Sequence, residues 1–363
     1  MIQLLREHKN ILKPIGIAIL VGLALWAIFL LVTRPSQQTE NVINLDLPEN
    51  KLVEFPKDDA RHIAMTELWY YNGHLKDKQS NEYSYHYSVY LHDALARHTI
   101  VHASLHDHKN NKTYQYQRRL GGTSFIPTKE GFSFDWKVWK MQGANGKDTI
   151  SGATTEFKFN LDLQTTSPEI AHGKTGLLDL DSAGEGYYYS RPRMQTKGNL
   201  TINDKKIKVT GESWFDHQWG DYRATVLSWK WFALQLDNGS NLMLYLLANS
   251  DGKTILQTAT LSKGRDAKYF TQKDFKTTPT DYWSSEISEH KYPVAWNITI
   301  PSEKIDITLK PKNKNSEFDS RATTYNTYWE GPVSVSGSNK GKGFLEVSIT
   351  NQKDRTAKTQ PVK

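Results

Sequence analysis

The sequence predicts an all-β protein of antiparallel strands behind one N-terminal apolar helix. Three observations point there. Apolar and polar residues alternate with period two in many short runs, turn dipeptides separate those runs, and no amphipathic helix longer than a few turns stands out after residue 50. Its 363 residues and 41.6 kDa leave room for about two globular domains. Cysteine is absent, which excludes disulfides, thiolate zinc sites, cysteine nucleophiles and a lipid-modified cysteine. The net charge of +7 is mild for this length, so it tolerates an anionic membrane surface without signalling nucleic-acid binding. Aromatic residues reach 12%, which suits strands and a large aromatic interior.

Residues 1–14 are polar and basic, with Arg6, Lys9 and Lys13. Ile15 to Val32 then runs for eighteen residues without a charge, just enough for a helix to cross a hydrocarbon core. The span exceeds a signal-peptide core and no A-x-A cleavage site follows, so an uncleaved transmembrane signal anchor is expected. The basic flank stays in the cytoplasm. That places a single-pass protein in a bacterial inner membrane, with its body in the periplasm or on the outer face and the bilayer as a partner. Residues 33–50 read as a polar tether.

Strands follow. Phe157, Phe159, Leu161 and Leu163 alternate with Lys158, Asn160 and Asp162, and Ile305, Ile307 and Leu309 alternate with Asp306 and Thr308. Phe132, Phe134, Trp136 and Val138 repeat the rule. Asn203-Asp204, Asn238-Gly239 and Asp251-Gly252 supply turn chemistry. Barrels and sandwiches both satisfy this pattern.

Tyr83, Tyr85, Tyr87, Val89 and Leu91 share one face of a strand, and Ser84, His86, Ser88, Tyr90 and His92 share the other. A second strand opposes Thr99, Val101, Ala103 and Leu105 to His98, Ile100, His102, Ser104 and His106. The polar faces suit either a ligand-holding barrel interior or a wet outer face. As metal ligands the histidines fail on spacing. His102 and His106 on one strand stand about 13 Å apart, whereas zinc takes donors at about 2 Å. Neither a metal nor a cofactor is expected. H-E-x-x-H, G-x-S-x-G and Walker patterns are all missing.

Gly211 to Asp221 reads GESWFDHQWGD. On a strand, Trp214, Asp216 and Gln218 share one face and Phe215, His217 and Trp219 the other. An aspartate flanked by indoles in an enclosed place is desolvated, which favours its neutral, proton-donating form. The competing role for Asp216 is a buried hydrogen-bonding residue at a domain junction.

Three motifs together carry a resemblance: Thr66-Glu67-Leu68-Trp69-Tyr70-Tyr71-Asn72-Gly73, Tyr188-Tyr189-Ser190-Arg191-Pro192-Arg193, and Trp214-Phe215-Asp216-His217-Gln218-Trp219-Gly220. With Trp229 to Leu236, Tyr292 to Trp296 and Tyr328-Trp329-Glu330-Gly331 they span about residues 50–355. The chain resembles the AttH and carotenoid 1,2-hydratase (CrtC-like, hydroxyneurosporene synthase) family. Leu68 stands where that family has a tryptophan, and Ala295 where an arginine is common. The resemblance implies two lipocalin-like antiparallel β-barrel domains, here 51–220 and 221–358. It also implies activities ranging from hydration of isoprenoid double bonds to polyketide ring shaping, with many members labelled secreted hydrolases.

Asp216 and Glu67 are the candidate catalytic carboxylates, a pair with separated pKa values if both face inward. Glu67 is structural if it bonds Arg191 or Arg193, which flank Pro192 and read as lying on one side of an extended run. Those arginines either bind an anionic head group or satisfy Glu67 and Asp216. The candidate ligand contacts are Trp69, Tyr71, Tyr85, His86, Tyr189, Arg191, Arg193, Trp214, His217, Gln218, Trp219 and Trp231. The leading functional expectation is a hydrophobic, isoprenoid or lipid-like ligand held without an established reaction, with a transport system as a further partner. The alternatives are a cofactor-free hydratase or hydrolase working by acid catalysis, and a carbohydrate-binding or carbohydrate-active protein.

Overall fold

Alternation sorts the strand residues onto two faces, and the computed structural model shows what each face meets. It describes residues 53–93 and 96–349; the expected anchor at Ile15–Val32 and its tether lie outside them. Among the described residues helix is confined to four short 3-10 turns, and no helix is long and apolar enough to cross a membrane.

Two antiparallel sheets hold nearly everything else. The first runs in spatial order through Lys112–Gly121, Arg97–Asp107, Glu82–Asp93, Thr66–Asp77, Lys205–Tyr222, Gly184–Ile202, Phe157–Thr165, Lys147–Ala153, Trp139–Ala144 and Phe132–Trp136. The second runs through Asp266–Thr271, Thr254–Lys263, Asn241–Asn249, Leu227–Leu236, Gly341–Ser348, Thr327–Gly337, Ile305–Pro311, Lys291–Ile300 and Lys276–Ser284. Their end strands do not pair along the path, so the lipocalin-like β-barrel domains expected take the form of two curled half-barrel sheets. The first sheet ends at Tyr222 and the second begins at Leu227.

Each sheet curls around its own core. Trp69, Tyr71, Tyr85, Tyr87, Phe134, Leu161, Tyr189, Phe215 and Trp219 fill the first. Phe232, Leu244, Trp296, Ile307, Trp329 and Leu345 fill the second. At Gly73 the close packing is visible: a Cβ there would lie 2.3 Å from Ser213 Oγ and 2.6 Å from the Tyr85 ring. A third apolar cluster joins the outer faces of the two sheets through Tyr70, Tyr188, Trp214, Trp231, Met243 and Phe344. That junction is where the polar faces of the first sheet go. His86 and His102 sit neither in a barrel interior nor in water. They pack on the second sheet, with His102 bonded to Tyr328 and Thr323 at 3.0 and 2.7 Å.

Candidate functional site

Thr66–Asp77 lies between Glu82–Asp93 and Lys205–Tyr222, in a register that pairs Glu67 with Trp219 and Tyr70 with Asp216. Directly paired residues share a face. Glu67, Trp69 and Tyr71 therefore enter the first core, while Leu68, Tyr70, Trp214, Asp216 and Gln218 turn toward the second sheet. There a cavity of about 90 Å³ is lined by Tyr70, Tyr90, Tyr188, Asp216, Gln218, Tyr222, Trp229, Trp231, Tyr245 and Glu346, among others. Among the described residues its lining has two carboxyl groups and no Lys, Arg or His. Room of that size holds several waters or a compact planar group.

Asp216 is 4% exposed. Trp214 Nε1 and Ser190 Oγ donate to its Oδ1 at 2.6 and 2.5 Å, and the Tyr188 hydroxyl donates to Oδ2 at 2.8 Å. Trp231 Nε1 donates in turn to the Tyr188 oxygen at 2.8 Å. Three neutral donors favour the carboxylate, yet burial outweighs them and pushes Asp216 up to about 7. The group is thus poised to hold or release a proton near neutrality.

Glu346 is the second carboxyl on the cavity. Burial pushes it up to about 7, against the Trp229 indole, which donates to Oε1 at 2.9 Å. It stands opposite Glu330 across the Gly341–Ser348 and Thr327–Gly337 strands. Burial and the charge of Glu346 hold Glu330 well above the ordinary range, and the Tyr70 hydroxyl donates to its Oε1. His86 Nδ1 stands 3.0 Å from Glu330 Oε2, but burial keeps that imidazole well below its usual value, so it brings no charge. Gln218 Nε2 is buried on the cavity and faces the Tyr245 hydroxyl, toward which it donates. Its second amide hydrogen is a donor for a ligand oxygen.

The structure does not bring the two expected catalytic carboxylates together. Glu67 and Asp216 occupy opposite faces of the first sheet, because the register offsets them by an odd number of residues. Glu67 does not pair with either arginine. Its carboxylate accepts the His62 backbone N–H at 2.9 and 3.1 Å and lies 3.0 Å from both His62 Nδ1 and His217 Nε2. Burial opposes its ionisation, but the two imidazoles hold it below the usual value. His62 stacks on Trp219 at 3.9 Å and His217 on Trp69 at 4.8 Å. Two ring nitrogens and a carboxylate oxygen within 4.8 Å make a donor set that divalent transition metals use. In this arrangement Glu67 Oε1 takes a hydrogen bond from each ring.

The arginines part company as well. A bulge between Arg191 and Met194 breaks the extended run, so the two do not share a side. Arg191 is buried in the first core between Asp59 and Asp148, under Tyr189 and Phe215. Arg193 bonds Glu212, Asn241 Oδ1 and the Leu236 carbonyl. Both are paired with protein carboxylates, although Arg191 Nε itself has no hydrogen-bond partner among the described residues. Of the expected ligand contacts, Gln218 and Trp231 line the cavity, Trp214 reaches it through Asp216, and His86 lies behind it on Glu330. Trp69, Tyr71, Tyr85, Tyr189, Arg191, His217 and Trp219 belong to the first core.

Sequence reasoning missed Tyr70, Tyr188, Trp229, Tyr245, Glu330 and Glu346. A signal existed for the last: Glu346 sits among Phe344, Leu345 and Val347. A charge on an apolar strand ordinarily marks a solvent face, and nothing local reveals that another sheet covers it.

A family profile for AttH-like proteins matches residues 46–349. The chain belongs to the AttH-like family. Dehydratase asqC of Emericella nidulans is 23% identical over 280 residues, 72% of this chain and 79% of that one. Kievitone hydratase of Fusarium solani subsp. phaseoli is 24% identical over 203 residues, 53% and 57% of the two chains. Among solved structures, the AttH-type protein NE1406 of Nitrosomonas europaea superposes with a TM-score of 0.72 at 24% identity, covering 82% of this chain and 97% of that one. Kievitone hydratase from Nectria haematococca superposes at 0.67 with 18% identity, covering 78% and 89%. These AttH-like neighbours share the two-sheet fold.

Proposed function

We propose that this AttH-like protein adds water to, or removes it from, a hydrophobic small molecule of isoprenoid or lipid-like class, by acid catalysis at the inter-sheet cavity. The reading rests on one observation: Asp216, pushed up to about 7, lines an aromatic cavity without any Lys, Arg or His. Two relatives named for dehydration and hydration point the same way. In the hydration direction Asp216 gives its proton to an alkene carbon. The cation formed faces Trp229, Trp231 and Tyr245, each worth about 2 kcal/mol when desolvated. Water attacks it and passes a proton to the Glu346 carboxylate, and proton return to Asp216 closes the cycle. Elimination runs the same steps backwards. Gln218 would hold an oxygen of the substrate. Anchored by Ile15–Val32, the body would meet such molecules at the outer side of a bacterial inner membrane.

A second reading, a binding protein without turnover, draws on the same carboxyl: both oxygens of Asp216 already accept hydrogen bonds from protein side chains. The test uses the full chain in detergent with prenylated phenols, acyclic isoprenoid alkenes and their tertiary alcohols in ¹⁸O-labelled water. Labelled alcohol from wild type, reduced at least about 10²-fold in Asp216→Asn, supports the enzyme. Equal binding to both proteins with no product supports the carrier and overturns the enzyme.

A further inference from the structure

Asp216 Oδ1 begins a buried chain of hydrogen bonds that leaves the cavity and crosses to the second sheet. Ser190 Oγ lies 2.5 Å from Oδ1, His172 Nε2 lies 2.7 Å from Ser190 Oγ, and Thr260 Oγ1 lies 3.0 Å from His172 Nδ1. All four residues are buried. The His172 ring also packs on the Tyr188 ring at 4.3 Å, so one imidazole touches two of the three groups that bond Asp216, Ser190 and Tyr188. Burial drives His172 down to about 3, which leaves it neutral. A neutral imidazole has one N–H and one bare nitrogen, and its neighbours decide which is which.

The donors can be counted. The Trp214 indole can only donate, so it always serves Oδ1. Ser190 has one hydrogen and two claimants, Asp216 and His172. We infer that Asp216, Ser190, His172 and Thr260 form a two-state hydrogen-bond chain in which the tautomer of His172 follows the proton of Asp216. With Asp216 ionised, Ser190 donates to Oδ1, His172 Nε2–H donates to Ser190, and the Thr260 hydroxyl donates to Nδ1. With a proton on Oδ1, Asp216 donates to Ser190, Ser190 donates to Nε2, and Nδ1–H donates to Thr260. The second state holds one proton more than the first and keeps every hydrogen bond. A proton taken up at Nδ1, with Nε2–H passed to Ser190 and the serine hydrogen passed to Oδ1, converts one into the other.

His172 is therefore a positioning residue: it lets Asp216 change charge without stranding a buried donor or acceptor. Its meaning for catalysis rests on Asp216 being the acid, whose proton must leave the Ser190 hydrogen bond to reach a substrate in the cavity; the coupling does not. The other ionisable groups around Asp216 are Tyr188 on its own sheet, Tyr70 on the neighbouring strand, and Tyr245 and Glu346 from the second sheet, with Glu330 behind Glu346. The phenols stay neutral, so the charge among them that acts on Asp216 is that of Glu346, and it reaches the His172 tautomer through Asp216.

The test is an NMR titration of the full chain in detergent, labelled with ¹³C-carboxyl aspartate and ¹⁵N-histidine, between about pH 5 and 9. It needs no substrate, so it succeeds or fails independently of any hydratase activity. The expected result is that the His172 nitrogens exchange their protonated and bare signatures at the midpoint of the Asp216 carboxyl carbon. In Ser190→Ala, Asp216 still titrates while His172 keeps one tautomer, and Ser190→Thr restores the coupling. A His172 tautomer that stays fixed while wild-type Asp216 titrates overturns the inference, as does a linked change that survives in Ser190→Ala. Wild type alone decides the first point, so an unstable variant does not remove the test.

Discussion

Glu330 and Glu346 stand opposite each other on adjacent antiparallel strands, both buried, with one phenol and one indole as their hydrogen-bond donors. Like charges so placed destabilise a sheet, so this pair is held together by protons. Folded-state values above the ordinary carboxylate range mean that the fold binds protons the unfolded chain releases. Stability is then lost as pH rises from the ordinary carboxylate range through about 7.

Glu346→Gln removes one charge from this pair. The variant should therefore lose less melting temperature than wild type between about pH 5 and 8.5, while turnover falls at least about 10²-fold. Thermal melts at both pH values, with product formation, check it. A steeper loss in the variant contradicts the assignment.

Glu67 has the opposite sign. Its folded value lies below the ordinary one because His62 and His217 hold the carboxylate, so its stabilisation is present above about 4.5 and is lost as pH falls through the folded value. Glu67→Gln should melt below wild type at neutral pH and converge with it in acid. It should also leave Asp216-dependent product formation in place. Melts against pH, with the product assay, decide whether this carboxylate supports the fold or the chemistry.

Arg191 belongs to the fold. Arg191→Met leaves Asp59 and Asp148 buried without their cation, which costs about 3–5 kcal/mol. Asp148, pushed by burial up to about 6, becomes harder still to ionise. Urea unfolding should show the loss, larger at pH 8 than at pH 5. An unchanged midpoint with lost ligand affinity would return Arg191 to the ligand site.

Much of this was legible in the chain because a strand has only two faces. The separation of Trp214, Asp216 and Gln218 from Phe215, His217 and Trp219 follows from alternation alone, and the structure has it. What lies against each face is a matter of register and of which sheet covers it. Glu67 and Asp216 looked like partners because both sit among aromatics, and the pairing of Glu67 with Trp219 places them apart. The bulge after Arg191 left no local mark. Glu330 was legible only as part of a motif and Glu346 not at all, because nothing in either strand reveals that the first sheet covers them.

The most direct test of the account is the midpoint of Asp216 itself, read from its ¹³C carboxyl shift and assigned with Asp216→Asn. Burial among Trp214, Tyr188 and Ser190, without a neighbouring cation, predicts a midpoint near 7. A midpoint below about 4.5 would mean that the three donors outweigh burial. Asp216 would then be a carboxylate throughout the physiological range, with no proton to give.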